Sequence, residues 1–85
     1  MADVIVGLKV MPKDVEVDLD RLENKIKESI NPEKISRQPI AFGLVAFHIV
    51  KIVPDSGGEV DKLEEKLRSI EEVGEIEVTG ITRSL

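Results

Sequence analysis

Apolar side chains alternate from the start of the chain: Val4, Val6, Leu8 and Val10 interleave with Ile5, Gly7, Lys9 and Met11 until Pro12 closes the run. A period of two predicts a strand whose even positions face a core. Leu19, Leu22, Ile26 and Ile30 then recur at spacings of three and four. That is the stripe of an amphipathic helix, with Asp18 placed to cap its start and Asn31-Pro32 to close it. Lys34 to Gln38 is short, mostly polar and bounded by prolines, which fits only a brief strand outside the best-buried part of a sheet. Gly43 to Val53 is apolar at nearly every position, broken only by His48 and Lys51, and its valine and isoleucine content favours a central strand over a helix. After the turn Pro54-Asp55-Ser56-Gly57-Gly58, Val60, Leu63, Leu67 and Ile70 form a second helical stripe, expected to run until Gly74 stops it. Ile76 and Val78 alternate with Glu75, Glu77 and Thr79 in a last strand.

The order βαββαβ predicts an α+β, ferredoxin-like sandwich, with two helices on one face of a four-stranded antiparallel sheet. The other sheet face is open. It is expected to carry Ile5, Gly7, Lys9 and Met11 from the first strand and Glu75, Glu77 and Thr79 from the last. If His48 marks that face on the third strand, Leu44, Ala46, Val50 and Ile52 join it, but Lys51 on the opposite parity leaves the register open. The 85 residues suit one domain, 1–85, able to fold alone with little stability in reserve.

One of only two phenylalanines stands where the pattern demands a turn, in Gln38-Pro39-Ile40-Ala41-Phe42-Gly43. Pro39 fixes its own φ and pushes Gln38 toward an extended shape, and Gly43 permits conformations other residues resist. Phe42 therefore has two readings. At the tip of a rigid turn it is a hot-spot contact with few torsions to freeze; folded back, it plugs one end of the core.

Charge and composition narrow the chemistry. A net charge of −5 argues against a protein held to phosphates by a basic face, so no direct nucleic-acid partner is expected. Lys9, Lys51 and Arg37 form no cluster in sequence. The absence of cysteine removes disulfides, thiolate metal sites and cysteine nucleophiles. His48 has no second histidine or serine nucleophile at a useful spacing, which makes it a hydrogen-bonded surface residue, not a metal ligand or triad member. Gly57-Gly58 lacks the other glycines and the lysine of a phosphate loop, and Asp55 beside it repels anions. No catalytic residue, metal or cofactor is expected. The start Met1-Ala2-Asp3-Val4 has no basic region leading into an apolar run, and no stretch of about 18 apolar residues occurs, which predicts a cytoplasmic protein without a membrane partner.

The opening Met1 to Val4 with Lys9-Val10-Met11-Pro12, the turn Pro39-Ile40-Ala41-Phe42-Gly43-Leu44, and the ending Ile70-Glu71-Glu72-Val73 to Val78-Thr79-Gly80-Ile81-Thr82-Arg83 together resemble archaeal translation elongation factor 1-beta. The resemblance spans essentially the whole chain, and its most specific part is the proline-apolar-small-Phe-Gly turn. It implies a ferredoxin-like guanine-nucleotide exchange factor that binds elongation factor 1-alpha, a GTPase, and promotes release of GDP without a cofactor of its own. It further implies that Phe42, flanked by Pro39, Ile40, Ala41 and Gly43, docks on the second domain of that GTPase. The C-terminal end, here Arg83-Ser84-Leu85, would act near the Mg²⁺ and phosphates. Eukaryotic relatives of that family end in lysine followed by an apolar residue, whereas this chain has serine at the penultimate position and its cation, Arg83, one residue earlier. A small ferredoxin-like regulatory module that binds a ligand and self-associates through its open face is the alternative, and a small phosphatase ranks behind both for want of a general base or an anion cradle.

Overall fold

The computed structural model describes residues 3–83; Ser84 and Leu85, two of the expected contact residues, lie outside them. The element order is β1 (Asp3–Pro12), α1 (Leu19–Ile30), β2 (Lys34–Pro39), β3 (Val45–Pro54), α2 (Glu59–Arg68) and β4 (Val73–Arg83), with a tight turn at Ala41–Gly43 between β2 and β3. All four strands join one antiparallel sheet in the order β2-β3-β1-β4. This is the ferredoxin-like arrangement that the periodicity predicts.

The even positions of β1 are buried as expected. Val4, Val6, Leu8 and Val10 pack with Phe47, Ile49 and Val53 of β3 against Leu22, Ile26 and Ile30 of α1 and Leu63 and Leu67 of α2. The Asp18 side chain accepts from the Arg21 backbone N–H, and Asn31 leaves α1 in a left-handed conformation at φ 46°. Both ends of α1 therefore behave as their sequence signals require.

Lys51 resolves the register of β3. Phe47, Ile49 and Val53 face the helices, and Lys51 shares their parity. Its stem runs along the helix side, and Nζ donates to the Asn31 carbonyl at 3.0 Å, where a cation meets the negative end of α1. His48 accordingly lies on the open face, where it is hydrogen-bonded to the Gln38 side chain. Gly43 and Leu44 belong to the turn, and β3 begins only at Val45.

The second helix is shorter than its apolar stripe. It ends at Arg68 because the Ser69 hydroxyl donates to the Lys66 carbonyl at 2.6 Å and the Ile70 N–H turns back to the Leu67 carbonyl at 3.1 Å. Ile70 still reaches the core from beyond the helix. Gly74 does not stop α2; it is the second residue of β4, and a Cβ there would lie 2.8 Å from Lys13 Cα. A close backbone approach, not a helix terminus, selects glycine at this position.

The turn that follows α2 is tied to α1 by an ion pair. Lys25 Nζ lies 2.8 Å from both carboxylate oxygens of Glu72, and Arg21 Nε is 3.5 Å from one of them. Hydrogen bonding from Lys25 holds the Glu72 carboxyl below the ordinary glutamate value. This tie is fully present above that ordinary value and is lost as pH falls through the lower folded value. An NMR titration should therefore find the Glu72 midpoint below the ordinary glutamate value, and Lys25→Ala should move it upward; an unmoved midpoint would assign the shift to another neighbour.

Candidate partner-docking site

The β2–β3 connection is held by its own backbone. Pro39 ends β2, the Ile40 N–H donates to the Leu44 carbonyl at 2.9 Å, and the Leu44 N–H returns to the Ala41 carbonyl at 3.4 Å. Between these bonds Phe42 adopts φ 64° and ψ 27°, followed by Gly43 at φ 75°. A left-handed conformation is ordinary for glycine and costly for a residue with a Cβ. Phe42 is 92% exposed, so the ring plugs nothing. The reading in which it folds into the core is overturned. The core aromatic is Phe47, fully buried, with the Arg37 guanidinium 5.6 Å from its ring centroid. Pro39, Ala41 and Gly43 are exposed beside Phe42, and Ile40 is half-buried.

Phe42 is thus an exposed aromatic held in a left-handed conformation, a combination that concentrates where surfaces are used. The same end of the molecule carries a second exposed apolar residue, Val15, at 62%. It sits on the connection from β1 to α1, and the pairing of Val10 with Phe47 brings the end of β1 beside the start of β3. Val15 stands with Val17 in the otherwise charged stretch Lys13 to Asp18.

Arg83 stands at the opposite end. Its Nη1 lies 3.1 Å from the Asp55 carboxylate, just past the end of β3. The ten residues of β3 separate this pair from the Phe42 turn, a span of roughly 30 Å at the usual rise of a strand. The structure thus does not bring the two sets of candidate residues together. Near Arg83 a cleft of about 220 Å³ is lined by Val4, Val53, Val60 and Ile81, with Asp55, Glu59 and Asp61 at its edge. Glu59 occupies the first turn of α2, where it accepts from the Ser56 hydroxyl at 3.1 Å. The protein's own carboxylates therefore take up the end of the helix that an anion would seek.

Lys9, Lys51 and Arg37 are dispersed in the fold as they are in sequence. Arg37 is paired with Asp20 at 2.6 Å and Glu23 at 3.0 Å, Lys51 is turned to the end of α1, and Lys9 lies on the open face between His48 and Glu77 in the sheet register. Among the described residues no group of three or more histidine, cysteine or acidic side chains is arranged to hold a metal ion, and no helix is long and apolar enough to cross a membrane.

Residues 5–83 match the EF-1 guanine nucleotide exchange domain. The chain is 46% identical over 88 aligned residues to elongation factor 1-beta of Methanothermobacter thermautotrophicus, covering 98% of each chain. It is 40% identical to that of Methanosphaera stadtmanae, with 98% of each chain covered, and 38% identical to that of Thermoplasma volcanium, with 96% of this chain and 98% of the relative covered. At that coverage the chain belongs to the elongation factor 1-beta family of guanine nucleotide exchange domains, translation elongation factors with a nucleotide-exchange role.

The conformation of Phe42 has a measurable cost. Phe42→Gly should be more stable than Phe42→Ala by roughly 1 kcal/mol, because only the glycine is free of the left-handed penalty. Phe47→Ala should lose about 3–5 kcal/mol, as buried phenylalanine truncations do. Urea unfolding of the three variants checks the order; a Phe42→Ala loss as large as that of Phe47→Ala would contradict the exposed turn.

Proposed function

We propose that this protein, as a single exchange domain spanning 1–85, promotes release of GDP from elongation factor 1-alpha in the cytoplasm. The observation that carries the reading is Phe42, presented almost fully exposed in a strained turn of a chain whose family is defined by nucleotide exchange. The protein acts non-covalently, as a binding partner and not an enzyme, and needs no cofactor of its own. It binds the nucleotide-free GTPase more tightly than the GDP form, and by linkage weakens GDP binding by the same factor. Each 1.4 kcal/mol of that difference is about tenfold in nucleotide affinity.

Two regions divide the work. Phe42, with Pro39, Ile40, Ala41 and Gly43 shaping its turn, supplies docking energy to a pocket on the GTPase. Arg83, with Ser84 and Leu85 after it, brings positive charge toward the phosphate end of the bound nucleotide and competes there with the metal that holds it. The separation of roughly 30 Å along β3 suits a partner large enough to meet both ends at once.

The test loads elongation factor 1-alpha with a fluorescent GDP analogue, chases with excess GDP and adds this protein in substoichiometric amounts. Each molecule should turn over more than one GTPase; an unchanged release rate with both proteins folded refutes the proposal. Phe42→Ala should weaken binding by roughly 1–3 kcal/mol while sparing the rate at saturation. Arg83→Ala should lower the saturating rate more than the affinity. Sites this far apart should combine additively, within about 0.5 kcal/mol, when the variants are paired; a strongly non-additive pair would place both residues in one contact.

A further inference from the structure

Unbroken alternation continued from Ile76 and Val78 would put Arg83 on the open face of the sheet, with Glu75 and Glu77. The observed register does otherwise. Val78 stands opposite Leu8 and Gly80 opposite Gly7, which leaves Thr79 as an extra residue in β4. From there the parity is reversed: Ile81 pairs with Val6 and Arg83 with Val4, whose side chains are buried beneath the helices. Arg83 therefore emerges on the helix side, where Asp55 receives it at 3.1 Å.

The opposing strand is shaped for this bulge. A Cβ built on Gly7 would lie 2.8 Å from Thr79 Oγ1, so any side chain there would press on the extra residue. The register, the clearance at Gly7 and the ion pair at Asp55 are three separate observations that concern one quantity, the direction of Arg83. Bulges redirect side chains and end regular pairing at sheet edges, and β4 is an edge strand. The direction matters because a charge moved from one side of a sheet to the other shifts by two side-chain lengths. That is more than the screening distance of about 8 Å at physiological ionic strength.

We propose that the Thr79 bulge, admitted by Gly7 and completed by Asp55, is the device that aims Arg83 at the nucleotide region of the partner GTPase. Thr79, Gly7 and Asp55 are then positioning residues for the exchange step. The inference rests on the function proposed above and adds to it a requirement for the side of the sheet, beyond the presence of a cation.

The swapped variant Thr82→Arg/Arg83→Thr keeps composition and net charge but moves the arginine to the position opposite Ile5, on the open face. Its saturating exchange rate should fall as far as that of Arg83→Ala, by roughly fivefold or more, the lower range of coupling between sites. The concentration for half-maximal effect should stay within about twofold of the natural protein in both, because docking through Phe42 is untouched. Arg83→Lys should retain most of the rate. Urea midpoints show that each variant is folded, and nuclear Overhauser contacts locate the arginine beside Asp55 or Ile5. A swapped variant that exchanges at the natural rate overturns the positional requirement while leaving the exchange function standing, as does an Arg83→Ala variant with full rate. A natural protein that releases no GDP analogue overturns both.

Discussion

Burial of one face of β1 beneath two helices, while both of its edges are hydrogen-bonded to β3 and β4, is the constraint on which the remaining structure depends. Val6, Leu8 and Val10 are fully buried there. Each contributes about 1.5–3 kcal/mol by leaving water, against a net stability of only about 5–15 kcal/mol expected for a domain. Only β2 lacks a direct bond to β1, and it is attached through β3. The positions of the Phe42 turn and of Arg83 are thus both inherited from registers measured against one strand.

The two phenylalanines show how the chain divides stability from recognition. Phe47 and Phe42 are five positions apart, yet one is sealed in the core and the other is almost wholly in solvent. Phe47 gains its burial by strand parity and is closed over by Arg37, itself neutralised by Asp20 and Glu23. Phe42 is denied that route because its backbone is left-handed and flanked by paired amides. Its exposure persists at a conformational cost, and such costs concentrate where a surface is used.

Much of this was legible in the chain. The alternation of β1 and the stripe and caps of α1 dictate their own structures, because burial and periodicity there point the same way. The two readings of Phe42 stayed open for a physical reason: a proline-glycine turn specifies a change of direction but not the side of it on which a ring settles. The end of α2 is hidden in the sequence because the apolar stripe continues through Ile70, which reaches the core after the helix has already ended at Arg68. Lys51 contradicted its strand's parity until α1 supplied a carbonyl for it. The extra residue at Thr79 left no compositional trace, since threonine and glycine suit either a regular edge strand or a bulged one, and so the side taken by Arg83 was beyond reach of simple alternation.

The interruptions in β4 have a consequence for the molecule among its own copies. β4 is a long outer strand, and an uninterrupted outer strand offers a row of unpaired amides on which a neighbouring chain can template. Here the row is broken twice, at Gly74 and at Thr79, where the spacing of the free N–H and C=O groups no longer matches a straight ladder. Glu75 and Glu77 lie between the two breaks and would oppose like charges in an antiparallel copy. At the other edge β2 ends in a proline that has no N–H to offer. The sheet is therefore poorly suited to growth from either margin, and the residue that turns β4 over also guards it against fibrous self-association.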